Sequence, residues 1–300
     1  MTPNIGRTSL IYVGLNNGIR IFDLNTMTIL DDDDEVRSID TANDDCMVLL
    51  GDSLYTSNGL SGLSSLIRVW DLGVGDLDSD YESLSIIGRP GGRGFSTILV
   101  LSDTTICCGG STGDLWYIDI ITNDIQVVET HPSREITTLL LLSKLHNHAI
   151  LSCEGHGKMV IWDGVTRREI MSIRIPISAD EVVPNAAGYD KCRAVELDDG
   201  RVCVAGRDKL CIWKLVRPTG VLSLELSNIS TRNITALYQP SSGVLLSGHW
   251  DGVVREWDIH IGVRLHSFIM HDMAITYIVR GISDTFISGS LDGTIRVWTA

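Results

Sequence analysis

Short apolar segments alternate with polar turns along the whole chain. The clearest example is the final stretch, Ser288-Gly-Ser-Leu-Asp-Gly-Thr-Ile-Arg-Val-Trp298. It predicts a strand that ends at Ser288, a two-residue turn at Asp292-Gly293 and a second strand from Thr294 to Trp298. Glycine adopts the positive φ of such a turn without a Cβ clash, and β-branched and aromatic residues at period two favour strands. The pattern therefore indicates a β-hairpin.

This hairpin recurs through the chain. Its seven copies end at positions spaced 41 to 51 residues apart, at Phe22, Trp70, Ile118, Trp162, Trp213, Trp257 and Trp298. Between the copies, strongly apolar segments predict further strands at 95–101, 136–142, 234–238 and 275–279. We expect these strands to be innermost and buried on both faces, because continuous apolar runs are typical of such strands. No segment shows the 3.6-residue apolar period of a helix, so the chain is predicted to be all-β.

The Trp-Asp pairs at the ends of repeats two, four and six, the Asp-Gly turns and the spacing resemble the WD-repeat (WD40) β-propeller family, whose blades recur about every 40–45 residues. The resemblance covers essentially the whole chain. It implies one domain, residues 1–300, folded as a seven-bladed β-propeller of four-stranded antiparallel blades. We expect incomplete terminal blades, because the first hairpin begins near Ser9 and the chain stops two residues after Trp298. A reading frame truncated at its start is the alternative.

Composition narrows the classes of function. The net charge of −14 disfavours nonspecific binding to nucleic acid and to anionic membranes. No apolar run approaches the roughly 18 residues of a membrane span, and the N-terminus has no signal segment. We therefore expect a cytosolic protein, with the nucleus left open. The seven cysteines share no spacing and are expected to be reduced, buried side chains rather than metal ligands.

The resemblance also implies a structural, buried hydrogen-bonded chain of four side chains: His271, Ser288, Asp292 and Trp298. Such a set could instead suggest a hydrolase triad, but its spacing fits the structural chain, and no catalytic residue is assigned. Repeat six keeps Ser247, Asp251 and Trp257 and has no matching loop histidine. No cofactor or metal is predicted, since His146 and His148 lack a third ligand.

Partner binding is expected on the face that carries the loops and the Asp-Gly turns, because the resemblance implies peptide binding there. The residues just before three of the turn aspartates point to this face: Arg207, Trp250 and Leu291. The loops before the inner strands add Arg37, Arg93, Arg134, Tyr189, Arg232 and Met273. Trp, Tyr and Arg dominate binding hot spots, and several arginines would make a local positive mouth. Packing of Trp250 on a neighbouring blade is the alternative for that residue.

These observations favour a non-enzymatic protein–protein interaction scaffold that binds partner peptides on the loop face, as a monomer within a complex. The alternative is a subunit that recognises acidic or phosphorylated peptides within a larger assembly, such as a ubiquitin-ligase or signalling complex. An enzyme that uses the propeller channel is a third hypothesis. It is opposed by the absence of paired carboxylates, of a nucleophile motif and of a metal set in the sequence.

Overall fold

The computed structural model describes residues 10–15, 18–23, 28–29, 44–51, 53–58, 67–71, 84–86, 94–130, 134–144, 148–155, 157–174, 192–206, 209–216, 221–226, 234–282 and 284–299. The regular structure in these ranges consists of β-strands. Within them, no helix has the length and hydrophobicity that a membrane span requires. The prediction of an all-β chain is therefore confirmed.

The strands of the first 135 residues are β1 (Leu10–Leu15), β2 (Gly18–Asp23), β3 (Thr28–Ile29), β4 (Asp44–Leu50), β5 (Ser53–Asn58), β6 (Ile67–Asp71), β7 (Leu84–Ile86), β8 (Phe95–Val100), β9 (Thr105–Gly110), β10 (Asp114–Asp119) and β11 (Ile125–Glu129). The remaining strands are β12 (Ile136–Leu142), β13 (Ala149–Glu154), β14 (Lys158–Trp162), β15 (Glu169–Arg174), β16 (Arg193–Glu196), β17 (Val202–Gly206), β18 (Lys209–Val216), β19 (Val221–Leu226), β20 (Ile234–Ser241), β21 (Val244–His249), β22 (Val253–Asp258), β23 (Val263–Ile269), β24 (Ile275–Arg280), β25 (Thr285–Ser290) and β26 (Ile295–Thr299).

These strands form seven antiparallel sheets, which we number one to seven in chain order. Consecutive strands are hydrogen-bonded neighbours in every sheet. In the described part of the chain, sheets one and seven have three strands each and the other five have four. The number of sheets agrees with the number of blades predicted from the repeat.

The chain divides into two compact units, residues 1–136 and 137–300. The first unit contains sheets one to three. The second contains sheet four, apart from its first residue, and sheets five to seven. Among the described residues, apolar side chains of neighbouring sheets form shared clusters, as between sheets two and three in the first unit. In the second unit, Leu151 of sheet four packs with Val204 and Trp213 of sheet five, and Val254 of sheet six packs with Phe286 of sheet seven.

The prediction that the strands at 95–101, 136–142, 234–238 and 275–279 are buried on both faces is wrong. β8, β12 and β24 each contain partly exposed positions, whereas every residue of β13 and β17 is buried. The reason lies in the sheet order. The first strand lies at the edge of its sheet and has a strand on one side, whereas the second strand has a strand on both sides. The number of neighbouring strands therefore determines how buried a strand is here, and a run of apolar residues is not sufficient.

The turn at Asp292-Gly293 in sheet seven is longer than the two residues predicted. In sheet seven, the Gly293 N–H donates to the Ser290 carbonyl oxygen at 3.2 Å, and the Ser290 N–H donates to the Thr294 carbonyl oxygen at 3.2 Å. Gly293 follows the two central residues of this β-turn, with φ of +80°. Gly252 takes the same place in sheet six, with φ of +76°. A four-residue turn that ends in a left-handed glycine matches the twist of the two strands.

Candidate functional site

The four side chains of the expected polar chain lie together in sheet seven. The Trp298 indole Nε1–H donates to Ser288 Oγ at 2.9 Å. His271 connects Ser288 to Asp292, because its Nε2 lies 2.8 Å from Ser288 Oγ and its Nδ1 lies 3.0 Å from Asp292 Oδ2. The chain thus connects the loop before β24, the strands β25 and β26, and the turn between them.

Asp292 is the electrostatic centre of this chain. Its carboxylate also accepts hydrogen bonds from the Thr294 N–H at 2.9 Å, the Thr294 hydroxyl at 2.6 Å and the Asp272 N–H at 3.1 Å. Burial by itself raises the pKa of Asp292, but these bonds and the bond from His271 outweigh it and hold the pKa well below its ordinary value. Asp292 is therefore an ionised acceptor that ties the loop to the turn.

The distances resemble the connectivity of a Ser-His-Asp triad, but access argues for a structural role. Ser288 is fully buried, and its hydroxyl already accepts the Trp298 indole. His271 is buried as well, with 2% of its surface exposed. A nucleophile needs an open site about 3 Å from its oxygen for the reacting atom. The geometry therefore supports a buried, satisfied polar network.

Sheet six contains a related network with a histidine that sequence reasoning missed. The Trp257 Nε1–H donates to Ser247 Oγ at 2.7 Å, and His249 Nε2 lies 2.7 Å from the same oxygen. His249 is fully buried on β21, two residues after Ser247 and on the same face of the strand. Its signal was that period-two spacing. In sheet seven the equivalent contact comes from His271 in the preceding loop, which is where the repeat pattern places the histidine.

The turn aspartate of sheet six has a different partner from that of sheet seven. Asp251 Oδ2 lies 2.7 Å from Arg255 Nη2, and its side chain is half exposed. Burial by itself raises the pKa of Asp251, but the Arg255 guanidinium and the Val253 N–H lower it below its ordinary value. This carboxylate is therefore paired with a cation on its own hairpin.

The indole of Trp213 in sheet five lacks the acceptor that sheets four, six and seven supply. In sheets four, six and seven, a serine two residues after the residue paired with the tryptophan accepts the indole: Ser152, Ser247 and Ser288. In sheet five, Trp213 pairs with Val202, so Val204 occupies this position. Trp213 Nε1 is buried and has no hydrogen-bond partner among the described residues.

Val204→Thr is therefore expected to leave the free energy of unfolding within about 0.5 kcal/mol of the wild-type value, because a new hydrogen bond of about 1 kcal/mol offsets the burial of a hydroxyl. Val254→Thr is the matched control, since Val254 is equally buried in sheet six and lies in an apolar cluster. It should lose about 1–2 kcal/mol. Urea denaturation measures both values. Equal losses would contradict the conclusion that the Trp213 indole N–H lacks an acceptor.

Part of the expected binding face lies at one end of sheets six and seven. There, three segments lie side by side, and we call them the Trp250 edge: the turn 250–252, the loop 270–274 and the turn 290–293. The N–H groups of Met270 and His271 donate to the Gly252 carbonyl oxygen at 3.1 and 3.0 Å. The turn of sheet six is therefore fastened to the loop.

The same loop is fastened to the turn of sheet seven. The Leu291 N–H donates to the Ala274 carbonyl oxygen at 2.9 Å. The Ser290 hydroxyl donates to the Met273 carbonyl oxygen at 3.0 Å. Backbone hydrogen bonds on both sides of the loop thus hold the three segments of the Trp250 edge in one arrangement.

Each segment of the Trp250 edge exposes one large apolar side chain. Trp250 is 43% exposed, and Met273 and Leu291 are each 51% exposed. Trp250 is therefore not fully covered by packing on its neighbours, since almost half of its surface faces solvent. A cluster of exposed apolar groups on a hydrogen-bonded frame is typical of a protein-binding surface.

The other predicted binding residues lie outside the described part of the second unit. Arg134 is exposed and belongs to the first unit. Five more predicted residues lie outside the described ranges: Arg37, Arg93, Tyr189, Arg207 and Arg232. The positive mouth therefore stays a prediction. Within the described ranges, no three His, Cys, Asp or Glu side chains are grouped as a metal site requires.

Sequence comparison identifies WD40 repeats in the second unit. The family description "WD domain, G-beta repeat" matches residues 222–258 and 262–299. The F-box/WD repeat-containing protein sel-10 of Caenorhabditis elegans is 32% identical over 98 residues, which are 32% of this chain and 16% of sel-10. The DENN domain and WD repeat-containing protein SCD1 of Arabidopsis thaliana is 34% identical over 94 residues, 31% of this chain and 7% of SCD1. The matched part thus spans less than a fifth of either relative.

Solved structures with the same fold extend over nearly the whole chain. The β-propeller domain of Cps50 (Swd1) from Myceliophteria thermophila has a TM-score of 0.71 at 13% identity and covers 97% of this chain and 93% of that domain. The designed protein Ika8 has a TM-score of 0.66 at 20% identity, with coverages of 97% and 81%. BamB from Moraxella catarrhalis has a TM-score of 0.66 at 18% identity, with coverages of 97% and 80%. Residues 222–258 and 262–299 therefore match WD40 repeats, and the fold over nearly the whole chain is that of a β-propeller.

Proposed function

We propose that the chain is a non-enzymatic interaction module that binds a peptide segment of a partner protein at the Trp250 edge. The observation that carries the proposal is the set of three exposed apolar side chains on three segments that backbone hydrogen bonds hold together. Since the frame is already ordered, binding does not have to fix it, and the entropic cost of association is lower. Tryptophan is one of the residue types enriched among binding hot spots.

The relatives are consistent with this proposal. Their names combine WD repeats with a second domain, an F-box in sel-10 and a DENN domain in SCD1. Repeats of this kind thus occur as one part of larger proteins, as expected for a module that supplies contacts. Because the fold alone does not determine function, the proposal depends on the Trp250 edge itself. The acidic-peptide alternative depends on arginines outside the described residues and stays a prediction.

Trp250→Ala is expected to remove a group of partner proteins recovered with the tagged chain from a cell lysate. Ile261→Ala is the matched control, because Ile261 is 65% exposed in the turn at the opposite end of sheet six. Quantitative mass spectrometry should show partners that are lost with Trp250→Ala and retained with Ile261→Ala. Recovery of the same set of partners with both variants would contradict the proposal. Thermal melting should be nearly unchanged, since both side chains are largely solvated.

A further inference from the structure

The charged side chains at and beside the Trp250 edge carry a net negative charge. Its described charged side chains are three carboxylates and one guanidinium: Asp251, Asp272, Asp292 and Arg255. Asp251 is neutralised by Arg255 at 2.7 Å. Asp292 is turned inward toward His271 and Thr294, and only 10% of its side chain is exposed. The exposed charge that remains is the carboxylate of Asp272.

The charge of Asp272 can act on a ligand that contacts the exposed apolar side chains of the Trp250 edge. It is exposed and directly precedes Met273 in the loop that both turns are fastened to. Its N–H is held by Asp292 Oδ2 at 3.1 Å, which fixes the backbone from which the carboxylate projects. No described cation forms an ion pair with it. A carboxylate beside an apolar anchor site attracts Lys or Arg and repels Asp, Glu and phosphate.

The indole ring of Trp250 also favours a Lys or Arg side chain in the ligand. The face of an indole ring carries the negative end of its quadrupole and attracts Lys and Arg side chains that approach within about 6 Å of its centre. Trp250 is exposed on the segment next to the loop of Asp272. Two different physical effects therefore prefer a cation at this edge: the charge of Asp272 and the ring of Trp250.

We propose that the partner segment bound at the Trp250 edge presents an apolar side chain with Lys or Arg close to it in sequence. This inference rests on the proposed function and adds the chemical class of the partner. The apolar side chain packs against Trp250, Met273 and Leu291, and the basic side chain lies beside the Asp272 carboxylate. It replaces the acidic or phosphorylated peptide as the expected ligand of this part of the face.

The test is selection from a random peptide library displayed on phage, with the purified full chain as bait. Selected peptides should carry Lys or Arg near an apolar residue, and Trp250→Ala should weaken their binding at least about tenfold. Asp272→Lys should weaken it about tenfold at low salt and less at ~0.5 M salt, because the Debye length is then only a few ångströms. Asp284→Lys, an equal charge change in the turn at the other end of sheet seven, should alter binding less than about twofold.

The outcomes separate the two proposals. Peptides that depend on Trp250, lack basic residues and bind Asp272→Lys normally would overturn the basic-segment inference and leave the proposed function standing. Acidic peptides that are weakened by Arg207→Glu would overturn it in favour of the arginine mouth. Peptides that bind Trp250→Ala as well as the wild type, or no enrichment at all, would overturn both.

Discussion

Gly252→Ala is expected to lower the free energy of unfolding by about 4 kcal/mol or more. Gly252 has φ of +76°, where an L side chain costs about 1–2 kcal/mol. Its added Cβ would overlap the carbonyl oxygen of His271 and lie 3.0 Å from that of Met273. These are backbone atoms that cannot rotate away, so the loop must move.

That movement would also break the frame of the Trp250 edge, because the Gly252 carbonyl accepts the N–H groups of Met270 and His271. Gly293→Ala is the matched control. Gly293 occupies the same turn position in sheet seven with φ of +80°, and its added Cβ would meet nothing within 4 Å. It should therefore lose only the backbone strain of about 1–2 kcal/mol. Urea denaturation measures both, and similar losses would show that the loop does not pack on Gly252.

Asp292→Ala is expected to lower the free energy of unfolding by about 2–4 kcal/mol at neutral pH. The change removes the acceptor of two backbone N–H groups, of the Thr294 hydroxyl and of buried His271 Nδ1, and each donor left unsatisfied carries a desolvation cost. Thr294 Oγ1, 3.0 Å from His271 Nδ1, remains as a substitute acceptor and limits the loss. Asp284→Ala, in the exposed turn at the other end of the sheet, should change stability by less than about 0.5 kcal/mol.

The same carboxylate should make the stability pH-dependent. The pKa of Asp292 is lower in the folded chain than in the unfolded chain, so its charge stabilises the fold above the unfolded pKa of about 4, and this contribution is lost as pH falls toward the folded pKa. The stability difference between the wild type and Asp292→Ala should therefore shrink between about pH 5 and pH 2. A difference that is constant between pH 7 and pH 3 would contradict an ionised acceptor.

The repeat made much of the fold predictable. The spacing of Trp162, Trp257 and Trp298 places equivalent strands in equivalent positions, and the hairpin, the all-β class and the number of sheets follow from it. Burial was predicted less well, because it depends on which strand has neighbours on both sides. The turn length also escaped prediction, since Asp292-Gly293 is consistent with a two-residue turn as well as with the four-residue turn observed.

The candidate site shows where a single sequence stops being informative. The four residues of the polar chain could be placed from the resemblance, but His249 could not, because a strand residue took over the contact that a loop residue makes in sheet seven. The exposure of Trp250 depends on how neighbouring segments pack, which residue type does not determine. The preferred charge of a ligand depends on local ion pairs. Arg255 neutralises the carboxylate of Asp251, so the exposed carboxylate of Asp272 determines the local charge.

Site-specific photocrosslinking tests the central claim, that partners bind at the Trp250 edge, most directly. The photoreactive amino acid p-benzoylphenylalanine would replace Met273 in one version of the chain. In the control it would replace Ile282, which is 40% exposed in the turn at the opposite end of sheet seven. Irradiation in cells is predicted to yield covalent partner adducts from position 273 and few from position 282. Equal yields from both positions, or adducts from position 282 alone, would contradict the account.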